Sequence, residues 1–406
     1  MGAFSEFDVE VFANEDALRD DYVPDELIAR EDEREDYISA LRPVARGSQP
    51  RNIFVYGDTG VGKTLSTMMI LDELQDDLKD SDDVDLEIVW INCKNKSSYQ
   101  VTVDLVNEFR PVDKQLSESG HSHNVILSQL WDELNDRDAT HVLIVLDEVD
   151  SLGTDDSLLY QLPRARSEGN VTETAAGLIG ISNNFAFRDN LSARVQSTLA
   201  EHEIHFPPYD ASQLRTILEQ RADKAFVDGA LEDGVIDLVA ALAAQETGSA
   251  RQALDVIYKA GELANKRGDE TIGEEHVRDA FERVERGIIE DELEQLPHQS
   301  HVVLGAILAL QEAGREPVRR KEIYEVYTRL AELLDTEPKA SRTIHRRLGD
   351  LALKGFIQMT ERNEGSRGGN RYVYELEMRS EIVQDVLREK TRFGDALGDN
   401  EFADYV

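Results

Sequence analysis

Apolar positions in the first half of the chain fall into short unbroken runs divided by helical repeats. Ile53–Val55, Glu87–Cys93, His141–Leu146 and Gly177–Ser182 are of strand length and rich in branched residues. Such runs predict strands buried on both faces of a parallel sheet. Leu65–Leu74 and residues 98–135 have helical spacing, the latter broken by the polar stretch Ser117–Asn124. The pattern changes after Pro207-Pro208, which sets a boundary near residue 208. Residues 210–286 read as helical throughout, with Gly229, Gly234, Gly248 and Gly268 as breaks. Val302–Ala313, Lys321–Leu334 and Ser341–Lys354 read as three more helices. Phe356–Met359 and Arg371–Leu376 then alternate like paired strands around a glycine-rich tip. Three helices and a hairpin describe a winged helix-turn-helix. The fold expected is an α/β domain with a parallel sheet over residues 1–208, a helical domain over 209–290, a winged helix over 297–380 and a polar tail over 386–406. Residues 1–14 read as frayed, and a helical run is expected from Glu26 to Leu41.

The first strand leads directly into Gly57-Asp-Thr-Gly-Val-Gly-Lys-Thr64, a full match to G-x-x-x-x-G-K-[ST] in its strand–loop–helix context. Gly57, Gly60 and Gly62 permit turns that a Cβ would obstruct, so the N–H groups of this loop, from Val61 through Leu65, can face an anion. The helix N-terminus that follows adds partial positive charge. Lys63 is placed to reach the β- and γ-phosphates of a nucleotide, and the Thr64 hydroxyl to ligate magnesium. ATP or ADP with Mg2+ are therefore the expected ligands. Asp147 and Glu148 close an apolar strand at its carboxyl end, the edge at which open α/β sheets bind ligands. Asp147 completes a magnesium site with Thr64, and Glu148 is placed to polarise an attacking water. Asn183, ending a further strand, is placed to orient the same water, with Asn184 the near alternative. Arg251 stands in the first turn of a helix against the dipole, which calls for an anionic partner. Tyr22, Val23 and Arg30 precede the first strand; contact with the nucleotide's base and plain packing are equal readings for them.

Charge alters the picture outside this site. There are 82 acidic residues against 44 basic ones, a formal net charge of −38. Hydrophobic content of 40% and regular periodicity exclude disorder for most of the chain. Acids spread over most segments read as a surface adapted to a very salty cytoplasm, with a DNA mimic as the competing reading. Against that background Ser341–Tyr372 carries seven basic residues and three acids. Arg342, His345, Arg346 and Arg347 on the third helix are candidates for a major groove, and Arg367 and Arg371 of the wing for phosphates or a minor groove. Cys93 is the single cysteine, which excludes an internal disulfide. No apolar run approaches the roughly 18 residues a membrane span needs, and no signal segment opens the chain, so a cytoplasmic protein with no membrane partner is expected.

The order of phosphate loop, Leu146-Asp-Glu148, Ser182-Asn183, Ala193-Arg-Val195, Pro207-Pro-Tyr209 and Gly248-Ser-Ala-Arg251 resembles that of an AAA+ ATPase. Tyr22-Val-Pro24 and the winged helix narrow the likeness. The chain resembles the archaeal origin-recognition and replication-initiator family, related to the eukaryotic origin recognition complex and its loading partner. The resemblance implies that Asn183 is a first sensor, Arg251 a second, and Arg194 an arginine finger, and that Tyr209 and Arg221 contact nucleotide where the lid begins. With Lys63, Asp147 and Glu148, the residues Asn183, Arg194 and Arg251 make the implied catalytic set. It further implies a weak ATPase with slow hydrolysis as a switch, binding of double-stranded origin DNA, recruitment of the replicative helicase, and association with other initiator subunits. Two other classes stay open: a helicase- or clamp-loader-type remodelling ATPase, marked by fast partner-stimulated turnover, and a nucleotide-switched transcription regulator, marked by footprints upstream of genes. The acidic stretch from Asp72 to Glu87 departs from the family's pattern.

Overall fold

The structure, a computed structural model, describes residues 10–406 except 154, 185–186, 188–190, 200–201, 364–369 and 399. The chain divides into two compact units, Met1–Val277 and Arg278–Val406.

The first unit is built on five parallel strands: β1 (Ile53–Gly57), β2 (Leu86–Asn92), β3 (His141–Asp147), β4 (Ala175–Ser182) and β5 (His202–Phe206), in the order β2-β3-β4-β1-β5. Six successive residues of β3 are buried, as a central strand covered on both faces requires. Helices α1 (Glu31–Ala45), α2 (Lys63–Leu78), α3 (Ser98–Glu108), α4 (His123–Asn135), α5 (Ser157–Gln161) and α6 (Ala193–Leu199) accompany the sheet. Most acids of the stretch from Asp72 to Glu87 lie exposed on the end of α2 and the loop that follows it. Cys93 lies just past β2, is fully buried, and has its thiol pushed up to about 12 by that burial, so it is an unreactive core residue.

The same unit continues into helices α7 (Ala211–Ala225), α8 (Val235–Glu246) and α9 (Ala250–Arg267). Asp210 and Gln213 form a capping box that starts α7, and Ser249 caps α9 through the Gln252 amide. The helical run expected from Glu26 begins only at Glu31, because Arg30 leaves helical geometry and turns into the protein. The frayed N-terminus is also corrected in part. Residues 1–9 lie outside the described residues, but Val11 is buried, the Val227 amide donates to its carbonyl at 3.0 Å, and Phe12 stacks on Phe226.

Helix α10 (Glu274–Glu294) begins in the first unit and ends in the second. The helical domain expected to reach residue 290 thus passes most of its last helix to the second unit. There, α11 (His298–Glu312), α12 (Arg320–Leu333) and α13 (Ser341–Leu353) pack with β6 (Val318–Arg319), β7 (Ile357–Asn363) and β8 (Asn370–Leu376), whose antiparallel order is β6-β8-β7.

The polar tail expected after residue 385 is wrong. Helices α14 (Ser380–Lys390) and α15 (Phe393–Leu397) and the turn Phe402–Tyr405 bury Val386, Leu387, Phe393, Leu397 and Phe402 in the same core. Gly305 makes room for them: a Cβ there would meet Phe393 Cζ at 2.8 Å and Phe402 Cε1 at 3.1 Å. Scattered acids hid an amphipathic segment whose apolar positions are few but large. Phe402→Ala is therefore expected to destabilise the second unit by about 3–5 kcal/mol, measured by urea unfolding. A loss within about 0.5 kcal/mol, the usual size for a surface change, would restore the tail.

Candidate functional site

The carboxyl ends of β1, β3 and β4 bring the sequence motifs to one edge of the sheet. Gly60 and Gly62 have φ of 79° and 89°, values that favour glycine. Lys63 is 4% exposed and folds back across the loop, donating from Nζ to the Gly57 carbonyl at 2.9 Å and the Asp58 carbonyl at 2.6 Å. Burial pulls its ammonium down to about 8, against the opposing pull of Asp147, Asp150 and Asp58. Thr64 Oγ1 donates to Asp147 Oδ2 at 3.0 Å, while the Glu148 amide donates to Asp147 Oδ1 at 2.9 Å. Burial pushes the Asp147 carboxyl up from its ordinary value. Glu148 has φ 51° and ψ 42°, a left-handed conformation that costs energy in a residue with a Cβ.

Asn183 follows β4 directly, and its amide donates to Asp150 Oδ1 at 2.9 Å. The Asn184 amide turns to Ser182 Oγ at 3.0 Å. Ser249, Ala250 and Arg251 sit on the loop itself. The Ala250 amide donates to the Gly60 carbonyl at 3.0 Å, and a Cβ on Gly60 would come within 2.0 Å of Ser249 Oγ and 3.1 Å of Arg251 Cβ. Arg251 Nε reaches Asp20 at 3.1 Å. The anionic partner that the sequence called for is thus, within the chain, a residue of the N-terminal segment. Asp20, Asp150 and Ser249 went unread; only Ser249 carried a local signal, as the first residue of a Ser-x-x-Gln cap.

The remaining candidates are held differently. Tyr209 is buried, its hydroxyl 2.9 Å from where a Gly62 Cβ would stand and its ring 3.7 Å from the Arg30 guanidinium carbon. Arg221 is buried beneath the N-terminal segment, donating to the carbonyls of Ala17 at 2.5 Å, Arg19 at 3.0 Å and Tyr22 at 3.4 Å, with its guanidinium 4.2 Å from the Tyr22 ring centre. Lys224 Nζ joins the Tyr22 hydroxyl at 3.0 Å, and Val23 is exposed. Arg194 opens α6, exposed, with its guanidinium 5.3 Å from the Tyr160 ring centre. In the second unit Arg342, His345 and Arg346 are exposed on α13, opposite the buried Ile344 and Leu348, whereas Arg347 is half-buried and paired with Asp350 at 3.1 Å. Arg371 stands in register with Arg362 across the hairpin. Arg367 lies outside the described residues.

Three family models match: an AAA domain over residues 45–183, a Cdc6 AAA+ ATPase-type lid domain over 215–282, and the CDC6 C-terminal winged helix domain over 291–386. The chain is 48% identical to ORC1-type DNA replication protein 1 of Haloarcula marismortui, over 97% of this chain and 96% of that protein. The chain belongs to the ORC1-type DNA replication protein family. It is likewise 44% identical to ORC1-type DNA replication protein 8 of Halobacterium salinarum, over 93% of this chain and 96% of that one. Among solved structures it is similar to the Aeropyrum pernix ORC1 protein in complex with DNA, with a TM-score of 0.75 and 34% identity over 93% of this chain and 97% of that one. The ORC1-type assignment makes the first unit an AAA+ ATPase domain with its lid and the second a winged helix. Haloarchaeal relatives accord with the acidic, salt-adapted surface. Among the described residues no helix is long and apolar enough to cross a membrane.

Proposed function

We propose that this ORC1-type protein binds duplex origin DNA through its winged helix and that the nucleotide held by its AAA+ domain sets the affinity. The observation that carries the reading is the seating of the lid helix α9 on the phosphate loop, Ala250 amide to Gly60 carbonyl, with Arg251 beside it. A γ-phosphate entering that cradle meets Lys63 from the loop and Arg251 from the lid, so its presence or loss biases the lid. Tyr209 behind Gly62 and Arg221 behind the N-terminal segment support the walls of the site. Thr64 and Asp147, already 3.0 Å apart, are the oxygen pair that would hold Mg2+, whose chemistry there is to neutralise phosphate charge. Glu148 takes the attacking water and Asn183 orients it; Arg194, exposed on α6, is assigned to a neighbouring subunit's nucleotide. Such a site turns over slowly and acts as a switch, and the family role adds recruitment of the replicative helicase.

Arg342, His345 and Arg346 form the exposed face of α13 that would enter the major groove, the wing with Arg367 and Arg371 would touch phosphates or a minor groove, and Arg347 is held by Asp350 at the edge of that face.

The test measures affinity for an origin-repeat duplex in ATP and in ADP. The wild type is expected to differ between them by roughly fivefold or more, the low end of ordinary allosteric coupling, and Arg251→Ala to erase the difference. Equal affinities in the wild type would refute the reading.

A further inference from the structure

Arg30 is 1% exposed and among the largest fully buried side chains of the chain. A guanidinium is costly to bury unless its donors are met and its charge is paired. Its donors reach two places far apart in sequence. Nε and Nη2 donate to the Val61 carbonyl at 3.2 and 2.9 Å, and Nη2 also donates to the Pro207 carbonyl at 2.8 Å. Nη1 pairs with Glu33 on α1 at 2.9 Å. The rings of Tyr209 and Phe206 lie 3.7 and 5.2 Å from its central carbon.

Val61 belongs to the phosphate loop. Pro207 is the first residue after β5, where the sheet gives way to the lid, and two residues on the Tyr209 amide donates to the Gly248 carbonyl at 2.9 Å, at the foot of α9. One planar, pre-organised fork therefore spans loop and hinge. In a trans peptide the carbonyl of one residue points opposite to the N–H of the next. Holding the Val61 carbonyl against Arg30 thus aims the Gly62 N–H the other way, away from the guanidinium.

We infer that Arg30 is a positioning residue for the nucleotide, coupling the hinge at Pro207–Tyr209 to the direction of the loop amides at Val61–Lys63. Displacing Pro207 relative to Val61 must break one of its bonds or turn the loop peptide with it. The inference rests on the nucleotide reading above and names the device by which loop and lid move together. It also explains why residues before α1 abandon the helical pattern.

Two variants test it in the full-length protein. Arg30→Lys keeps a charge against Glu33 but replaces the fork with a single point donor. Arg30→Met with Glu33→Met removes the pair together, so that no buried charge is left alone, an exchange folds often tolerate. Affinity for fluorescent ATP and ADP is measured at a temperature where circular dichroism shows each protein folded, alongside hydrogen exchange at the Tyr209 amide. Both nucleotides are expected to bind roughly tenfold or more weakly to each folded variant, and nucleotide is expected to slow Tyr209 exchange in the wild type but not in the variants. Should the double variant fail to fold, Arg30→Lys decides. A lower melting temperature with wild-type affinity and wild-type Tyr209 protection would make Arg30 a packing residue and overturn the inference. A wild type that binds neither nucleotide would strike at the site itself instead.

Discussion

Replacing Lys63 with alanine is expected to weaken nucleotide binding by roughly ten- to a hundredfold, measured by titration calorimetry. The estimate follows from the loss of a charged hydrogen bond, ordinarily worth about 1.5–3 kcal/mol, at about 1.4 kcal/mol per factor of ten. The lysine now bonds the Gly57 and Asp58 carbonyls, so its ammonium is already aimed across the loop. The same residue predicts a pH dependence. Burial brings its pKa down to about 8 in the free protein. A bound polyphosphate stabilises the ammonium and raises that pKa again. A group whose pKa rises on binding favours the complex fully below its free value and loses that advantage as pH climbs toward its bound value. Affinity should hold steady up to about pH 8 and then decline, by at most about tenfold per unit. The Lys63→Ala protein should lack that decline. A wild-type affinity that stays level from pH 8 to 10 would show that the buried lysine of the free protein does not titrate near 8.

Much of the nucleotide site was legible because its parts are local. A loop of three glycines, a lysine and a threonine declares itself in eight residues, and an apolar strand ending in Asp147 and Glu148 in seven more. Parallel burial made β3 plain, since an uninterrupted apolar run is what a strand covered on both faces needs. β5 was harder: His202-Glu-Ile-His-Phe206 buries only Ile204 and Phe206, too few to separate a strand from a loop. What stayed hidden altogether was long-range and polar. Nothing near Arg30 says that it will be buried against Val61 and Pro207, and nothing near Asp20 points to Arg251. Arg221 illustrates the same limit, for nothing in its local sequence announces its bonds to the carbonyls of Ala17, Arg19 and Tyr22. At the far end, charge misled. Acids between Phe393 and Phe402 suggested solvent, yet both rings close the core of the second unit.

Glu148→Gln is expected to cut ATP hydrolysis by roughly a hundredfold or more while leaving nucleotide affinity within about threefold, because removing a general base typically costs 10²–10⁴ in rate and nothing in binding. The geometry separates Glu148 from its neighbour. Asp147 has one carboxylate oxygen on Thr64 and the other on the Glu148 amide, so it is fixed in place and suited to a metal. Glu148 follows the same strand end in a left-handed backbone conformation, φ 51° and ψ 42°, that costs energy in a residue with a Cβ. Glutamine keeps the shape and hydrogen-bonding reach of that side chain and removes only its capacity to take a proton. The substitution should therefore fix the protein in its ATP form, and its DNA affinity in ATP should match that of the wild type in a non-hydrolysable analogue. Phosphate release is the direct measurement, with the dissociation constant for ATP as its control. If hydrolysis survives the change at more than about a third of the wild-type rate, the base is another residue and the twist at Glu148 serves the fold alone.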